Sequence, residues 1–104
     1  RAAFLVDAPL ECTKTFTANS PCDDCESKPC IQACPVGAVT RDQTIAMGLC
    51  LPQRLADPGG CGVSCGSRLA CPVGEKWRYP KDQIRYHGSR SLVSLQQRAR
   101  GRAD

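Results

Sequence analysis

Apolar and polar positions divide the chain into three stretches of different character. Near the start, Ala2-Ala3-Phe4-Leu5-Val6 is a short apolar run in an otherwise mixed segment of about twenty residues. It reads as an edge strand or an extended docking arm. From Ser20 to Gly74 no sustained helical or strand period appears, and frequent Gly and Pro between cysteines predict loops joined by short helical turns and a small hairpin. Beyond Gly74 the cysteines stop, and Leu92 and Leu95 recur at helical spacing with Val93 beside them. That spacing predicts a short amphipathic helix between Ser89 and Arg98, too short to be stable alone. No apolar run approaches about 18 residues, so no membrane-spanning helix is expected and the protein is read as soluble or peripherally attached. The chain starts at Arg1 and not at methionine, which reads as a processed, trimmed or partial product, and no targeting segment is legible.

An internal repeat organises the middle stretch. Ala33-Cys34-Pro35-Val36-Gly37 recurs as Ala70-Cys71-Pro72-Val73-Gly74, each copy preceded by three further cysteines. A unit this small buries nothing by itself, so the two copies are expected to form one pseudo-symmetric body.

Composition explains why such a body needs help. With 104 residues there is room for one domain, and the aromatic residues are only Phe4, Phe16, Trp77, Tyr79 and Tyr86. Small chains with so thin a core rely on disulfides or bound metal, and nine cysteines provide for either. Basic residues gather at the end, with Lys76, Arg78, Lys81, Arg85, Arg90, Arg98, Arg100 and Arg102 set against Glu75, Asp82 and Asp104.

The spacing of the cysteines favours metal. Cys22 and Cys25 are two residues apart, a chelating separation in which a tight turn aims backbone N–H groups at the sulfurs. Four residues lead to Cys30 and three more to Cys34, about one helical turn on, after which Pro35 turns the chain away. The second group is Cys50, ten residues to Cys61, three to Cys65 and five to Cys71-Pro72.

The first run resembles that of the bacterial-type dicluster 2[4Fe-4S] ferredoxins, with two extra residues, Pro29 among them, in its second interval. The second group departs further, in the manner of the ferredoxin-like domain of epoxyqueuosine reductase, and the stretch down to Trp77-Arg78-Tyr79-Pro80 is similar to small stand-alone ferredoxin-like proteins. Long insertions of this kind close at slowly growing entropic cost. The resemblance covers roughly residues 20 to 75. It implies crossed ligation, in which the cysteine before proline serves the other cluster. One [4Fe-4S] cluster would then be held by Cys22, Cys25, Cys30 and Cys71, and the other by Cys50, Cys61, Cys65 and Cys34, leaving Cys12 over. Cys12 is expected to be an ordinary small buried residue, with substitution for Cys50 as the alternative. The formal charge of +4 counts every cysteine as neutral; two clusters of roughly −2 each would bring it near zero, which weakens a nucleic-acid reading.

The resemblance implies an α+β ferredoxin-like fold over residues 20–79, with an N-terminal arm at 1–19 and a basic extension at 80–104. It implies electron transfer without catalysis, between redox protein partners, in a reducing compartment such as the cytoplasm or the mitochondrial matrix side. A different class of function is a structural or accessory subunit of a respiratory assembly, in which the clusters serve as staples and the arm and tail dock it. One cluster beside a degenerate site is a further alternative. A disulfide-rich domain fits the cysteine fraction, but an odd count leaves a thiol over and gives no reason for the Cys-Pro repeat. Structural zinc suits Cys22 and Cys25 but not the long Cys50–Cys61 interval. His87 is expected to pack or hydrogen-bond, Asp23 and Asp24 to be solvated loop acids available for docking, and no serine lies in a nucleophile motif. The Arg-rich tail is a solvated end or an attachment to an acidic partner or anionic membrane; RNA binding would call for interleaved aromatics that it lacks.

Overall fold

In the computed structural model, which describes residues 2–103, four helices and one 3₁₀ turn follow in order: α1 at Pro29–Gln32, α2 at Met47–Ala56, α3 at Gly66–Ala70, the 3₁₀ turn at Glu75–Trp77 and α4 at Lys81–Ala103. Arg1 and Asp104, assigned above to the arm and the tail, lie outside the described residues.

The expected sheet is not there. Among the described residues, extended pairing is limited to one antiparallel bridge between Val39 and Ile45, so the α+β ferredoxin-like fold is corrected to a helical, loop-rich architecture. The physical reason lies on either side of that bridge. Asp42 folds its carboxylate back onto the Thr40 and Thr44 hydroxyls and the Thr44 amide, closing a tight turn. Thr40 and Thr44 then exchange a backbone bond, and Ala46 N–H reaches Ala38 C=O at 2.8 Å. Immediately afterwards the chain enters α2, so the hairpin ends before a ladder forms. Of the two readings of the arm, an edge strand or an extended segment, the strand is excluded: residues 2–6 pair with nothing, leaving Phe4 84% and Leu5 104% exposed.

The repeat reappears as matched local geometry. Gly37 and Gly74, closing the two Ala-Cys-Pro-Val-Gly copies, adopt left-handed φ of 63° and 68°, a conformation for which glycine carries no Cβ penalty. Helices α1 and α3, which lead into the two copies, pack against each other.

Apolar burial is slight. Ala38, Val63 and Leu92 are the buried hydrophobic residues, joined by Ser67. The surface of 8928 Å² far exceeds the roughly 5,700 Å² expected for a folded chain of this mass, and the radius of gyration of 17.5 Å exceeds the expected value of about 13 Å. The excess comes from the arm and from the far end of α4.

The C-terminal helix begins eight residues earlier than the leucine spacing predicts and runs for 23 residues, about 34 Å. Its inward stripe is Ile84, Gly88, Leu92 and Leu95, and one member of that stripe is a glycine, which contributes no apolar signal. At Gly88 the helix backbone lies directly on the Val63 carbonyl. Arg54 fastens the same layer, donating through Nη2 to Gly62 C=O at 3.0 Å and to Ser91 Oγ at 3.2 Å. Beyond Gln96, residues 97–102 are exposed.

Candidate metal centre

The first cysteine loop is built by its own backbone and by one lysine. Ser20 accepts from Cys22 N–H and Asp23 N–H, and Cys25 N–H bonds Cys22 C=O. Lys28, held at a φ of 40° by the loop and by Pro29 after it, donates through Nζ to Cys22 C=O at 2.6 Å. A left-handed non-glycine residue at this point is strain held in place by the surrounding loop. Cys30 then sits in α1, the short helix expected between Cys30 and Cys34.

Cys34 follows the end of α1, and its sulfur accepts from Ala38 N–H at 3.3 Å. Burial pushes the Cys34 thiol up, but the backbone N–H groups of Val36, Ala38, Val39 and Gly37 outweigh it and bring the group below its ordinary value. Hydrogen bonds to the charged form favour the thiolate, which is the metal-binding species.

The second loop is organised by Asp57. Its carboxylate takes Gly60 N–H at 3.2 Å and Cys61 N–H at 2.9 Å, while its carbonyl takes Gly62 N–H at 2.8 Å. Cys50 stands on α2 one turn before Arg54, so both lie on one helix face. Burial pushes the Cys50 thiol up, and Cys65, Cys34 and Cys61 push it the same way while Arg54 opposes them. Cys50, Cys65, Cys34 and Cys61 are therefore electrostatic neighbours, although 31 positions separate the first from the last. This is the quartet that crossed ligation implies for the second cluster.

All four line a single open cavity of about 850 Å³, together with Cys71. Its charged lining is Arg54, Arg68 and Arg78, with His87 and no carboxylate. Arg78 is fixed there by bonds to Leu69 C=O and Cys71 C=O, and His87 packs between Tyr79 and Tyr86 at ring separations of 5.7 and 5.3 Å. His87 thus packs as expected and lies on the cavity wall as well.

Among the described residues no three His, Cys, Asp or Glu side chains converge closely enough to enclose one metal ion. A mononuclear zinc site needs such convergence, with four sulfurs each about 2.3 Å from a point. A cubane takes each thiolate on a different iron, so its ligands surround a body. Five cysteines, Cys34, Cys50, Cys61, Cys65 and Cys71, line this acid-free, arginine-lined cavity, a lining whose charge suits an anionic group.

The first quartet is less complete. Cys22, Cys25 and Cys30 do not line the cavity, whereas Cys71 does; the link between them is the packing of α1, which carries Cys30, on α3, which Cys71 ends. Cys12, expected to be buried, is exposed, because the arm around it touches no core. Replacing Cys12 with serine is expected to leave iron and acid-labile sulfide per chain unchanged; loss of either would make Cys12 a ligand. Sequence reasoning missed Arg54, Arg68 and Arg78 as lining residues, and only the position of Arg54 one turn after Cys50 offered a clue.

Among the described residues no helix is long and apolar enough to cross a membrane. No protein-family model, curated protein or solved structure matches the chain.

Proposed function

We propose that this chain is a one-electron carrier with two [4Fe-4S] clusters, one on Cys34, Cys50, Cys61 and Cys65 and one on Cys22, Cys25, Cys30 and Cys71. The observation that carries the reading is the grouping of Cys34 with the three cysteines of the other motif around one cationic cavity. When bound, each cluster supplies a reversible one-electron couple whose potential follows from hydrogen bonds to sulfur, net charge and exposure. The chain's part is to hold thiolates ready, to set donors at Cys34 and to balance charge with Arg54, Arg68 and Arg78. On this reading the activity is electron transfer and not catalysis. Thiols in this number call for a reducing compartment, cytoplasmic or on the matrix side of a mitochondrion. The partners are redox proteins, met through the N-terminal arm and the basic end of α4.

A second reading, a stapling subunit of a larger redox assembly such as a respiratory complex, is favoured by the arm and by residues 97–102 of α4, which are exposed and pack on nothing. Anaerobic reduction with dithionite, followed by electron paramagnetic resonance and reoxidation, separates the two. A carrier gives a reducible signal that returns over repeated cycles; clusters that stay oxidised, or are lost on reduction, favour the staple.

A further inference from the structure

We infer that Asp42, which lies outside the cavity, is a positioning residue of the metal centre: the turn it closes holds the Ala38 amide on the Cys34 sulfur and keeps Cys34 in register with Cys50. The inference rests on the reading of Cys34 and Cys50 as ligands of one cluster and adds the device that sets them.

A run of hydrogen bonds joins the two cysteines through the backbone. Cys34 Sγ accepts from Ala38 N–H at 3.3 Å. Ala38 C=O accepts from Ala46 N–H at 2.8 Å, and Ala46 C=O accepts from Cys50 N–H at 3.0 Å. Each link is a single bond, so a shift of the hairpin at Ala38 or Ala46 moves one cysteine relative to the other. Ala38 is only 1% exposed, which leaves water little access to its amide, and a buried amide without a partner is costly. The amides of Val36, Val39 and Gly37, in the same short segment, also favour the Cys34 thiolate.

The turn is what keeps this hairpin closed. Two extended segments joined by one bridge, Val39 with Ile45, are marginal in water without further strands. Across the turn Thr40 N–H bonds Thr44 C=O and Gln43 N–H bonds Thr40 C=O, each at 3.2 Å. Asp42 Oδ1 gathers the remaining donors: the Thr40 hydroxyl, the Thr44 hydroxyl at 2.7 Å and Thr44 N–H at 3.2 Å. These donors, the Thr40 hydroxyl foremost, hold the Asp42 carboxyl below its ordinary value, so the acceptor is a carboxylate at neutral pH. Gln43 stands at a φ of 66°, a left-handed conformation that a non-glycine residue keeps where its surroundings impose it. Asp42 is exposed and does not line the cavity. Its acceptor can therefore be removed without touching a cysteine or the cavity wall.

The test compares Asp42→Ala with Asp42→Asn in the anaerobic holoprotein, after the iron content of the unaltered protein has been measured. Alanine removes the acceptor, whereas asparagine keeps an Oδ1 and removes only the charge. Asp42→Ala is expected to speed hydrogen exchange at the Ala38 and Ala46 amides and to lose iron to a chelator about tenfold faster. It should also lower the reduction potential, because donors to sulfur stabilise the more negative, reduced state. Asp42→Asn should stay near the unaltered protein in all three respects. An Asp42→Ala protein whose Ala38 amide exchanges as before, or exchanges faster while iron loss and potential stay unchanged, overturns the inference and leaves the cluster reading standing; so does an asparagine variant that behaves like the alanine one. An unaltered protein without iron overturns the cluster reading, and exchange at Ala38 then decides alone whether Asp42 holds the hairpin.

Discussion

Replacing Gly88 with alanine is expected to lower the melting temperature of the holoprotein by about 12–24 °C and to cost it the iron of its second site. A Cβ at this position would lie 1.9 Å from the Val63 carbonyl oxygen and 2.5 Å from its carbon. Those are backbone atoms, in a loop whose amides Asp57 holds and whose Gly62 carbonyl Arg54 holds, so no side chain can swing away to make room. Either α4 lifts or the loop between Cys61 and Cys65 moves. Overpacking of this kind costs about 3 kcal/mol, and for a domain of this size each kcal/mol is worth about 4–8 °C. The effect is large because Val63, against which Gly88 lies, and Leu92, one turn further along α4, are two of the three buried apolar residues. Gly101→Ala is the control: nothing lies within 4 Å of that position, and alanine's better helix propensity should leave the melt unchanged or slightly raised. An unchanged melt for Gly88→Ala would mean that α4 does not seat on the cysteine loop.

The second large effect concerns the pairing of ligands. Cys34→Ser alters the first motif but is expected to remove the cluster of the second, taking about four of eight irons. Residues that hold one cluster act as a unit, so their losses do not add. Cys34→Ser combined with Cys50→Ser should therefore cost no more iron than either alone, whereas Cys34→Ser combined with Cys22→Ser should remove nearly all of it. The reverse pattern, with Cys34 and Cys22 behaving as one unit, would restore ligation within each motif and overturn the assignment. The expectation rests on Cys34 lining the same cavity as Cys50, Cys61 and Cys65.

How much of this was legible beforehand depended on whether a feature is local. The helical turn at Cys30 and the matched turns at Gly37 and Gly74 follow from short-range rules, proline fixing one angle and glycine permitting a left-handed one; the sequence showed the first directly and, for the other two, only the repeat that carries them. The quartet around Cys34 was legible only through the resemblance, since nothing in the spacing alone joins Cys34 to Cys61. The sheet was misread because a ladder needs partners at a distance: Val39 and Ile45 pair, but the apolar run at residues 2–6 has no facing strand, and α4 occupies the end of the chain that might have supplied one. The start of α4 was missed because Gly88, an inward position, contributes no apolar signal, and its close approach to Val63 becomes visible only in three dimensions. Arg54, Arg68 and Arg78 are spread over 25 positions of sequence, and their shared wall exists only after α2, α3 and the turn at Glu75–Trp77 have assembled. The buried position expected for Cys12 failed for a simpler reason, since the arm that carries it meets no core.

The most direct test of the central claim is the iron and acid-labile sulfide content per chain of protein purified anaerobically. Two clusters predict about eight of each; zinc in their place, or cysteines paired as disulfides with no metal bound, would contradict the account.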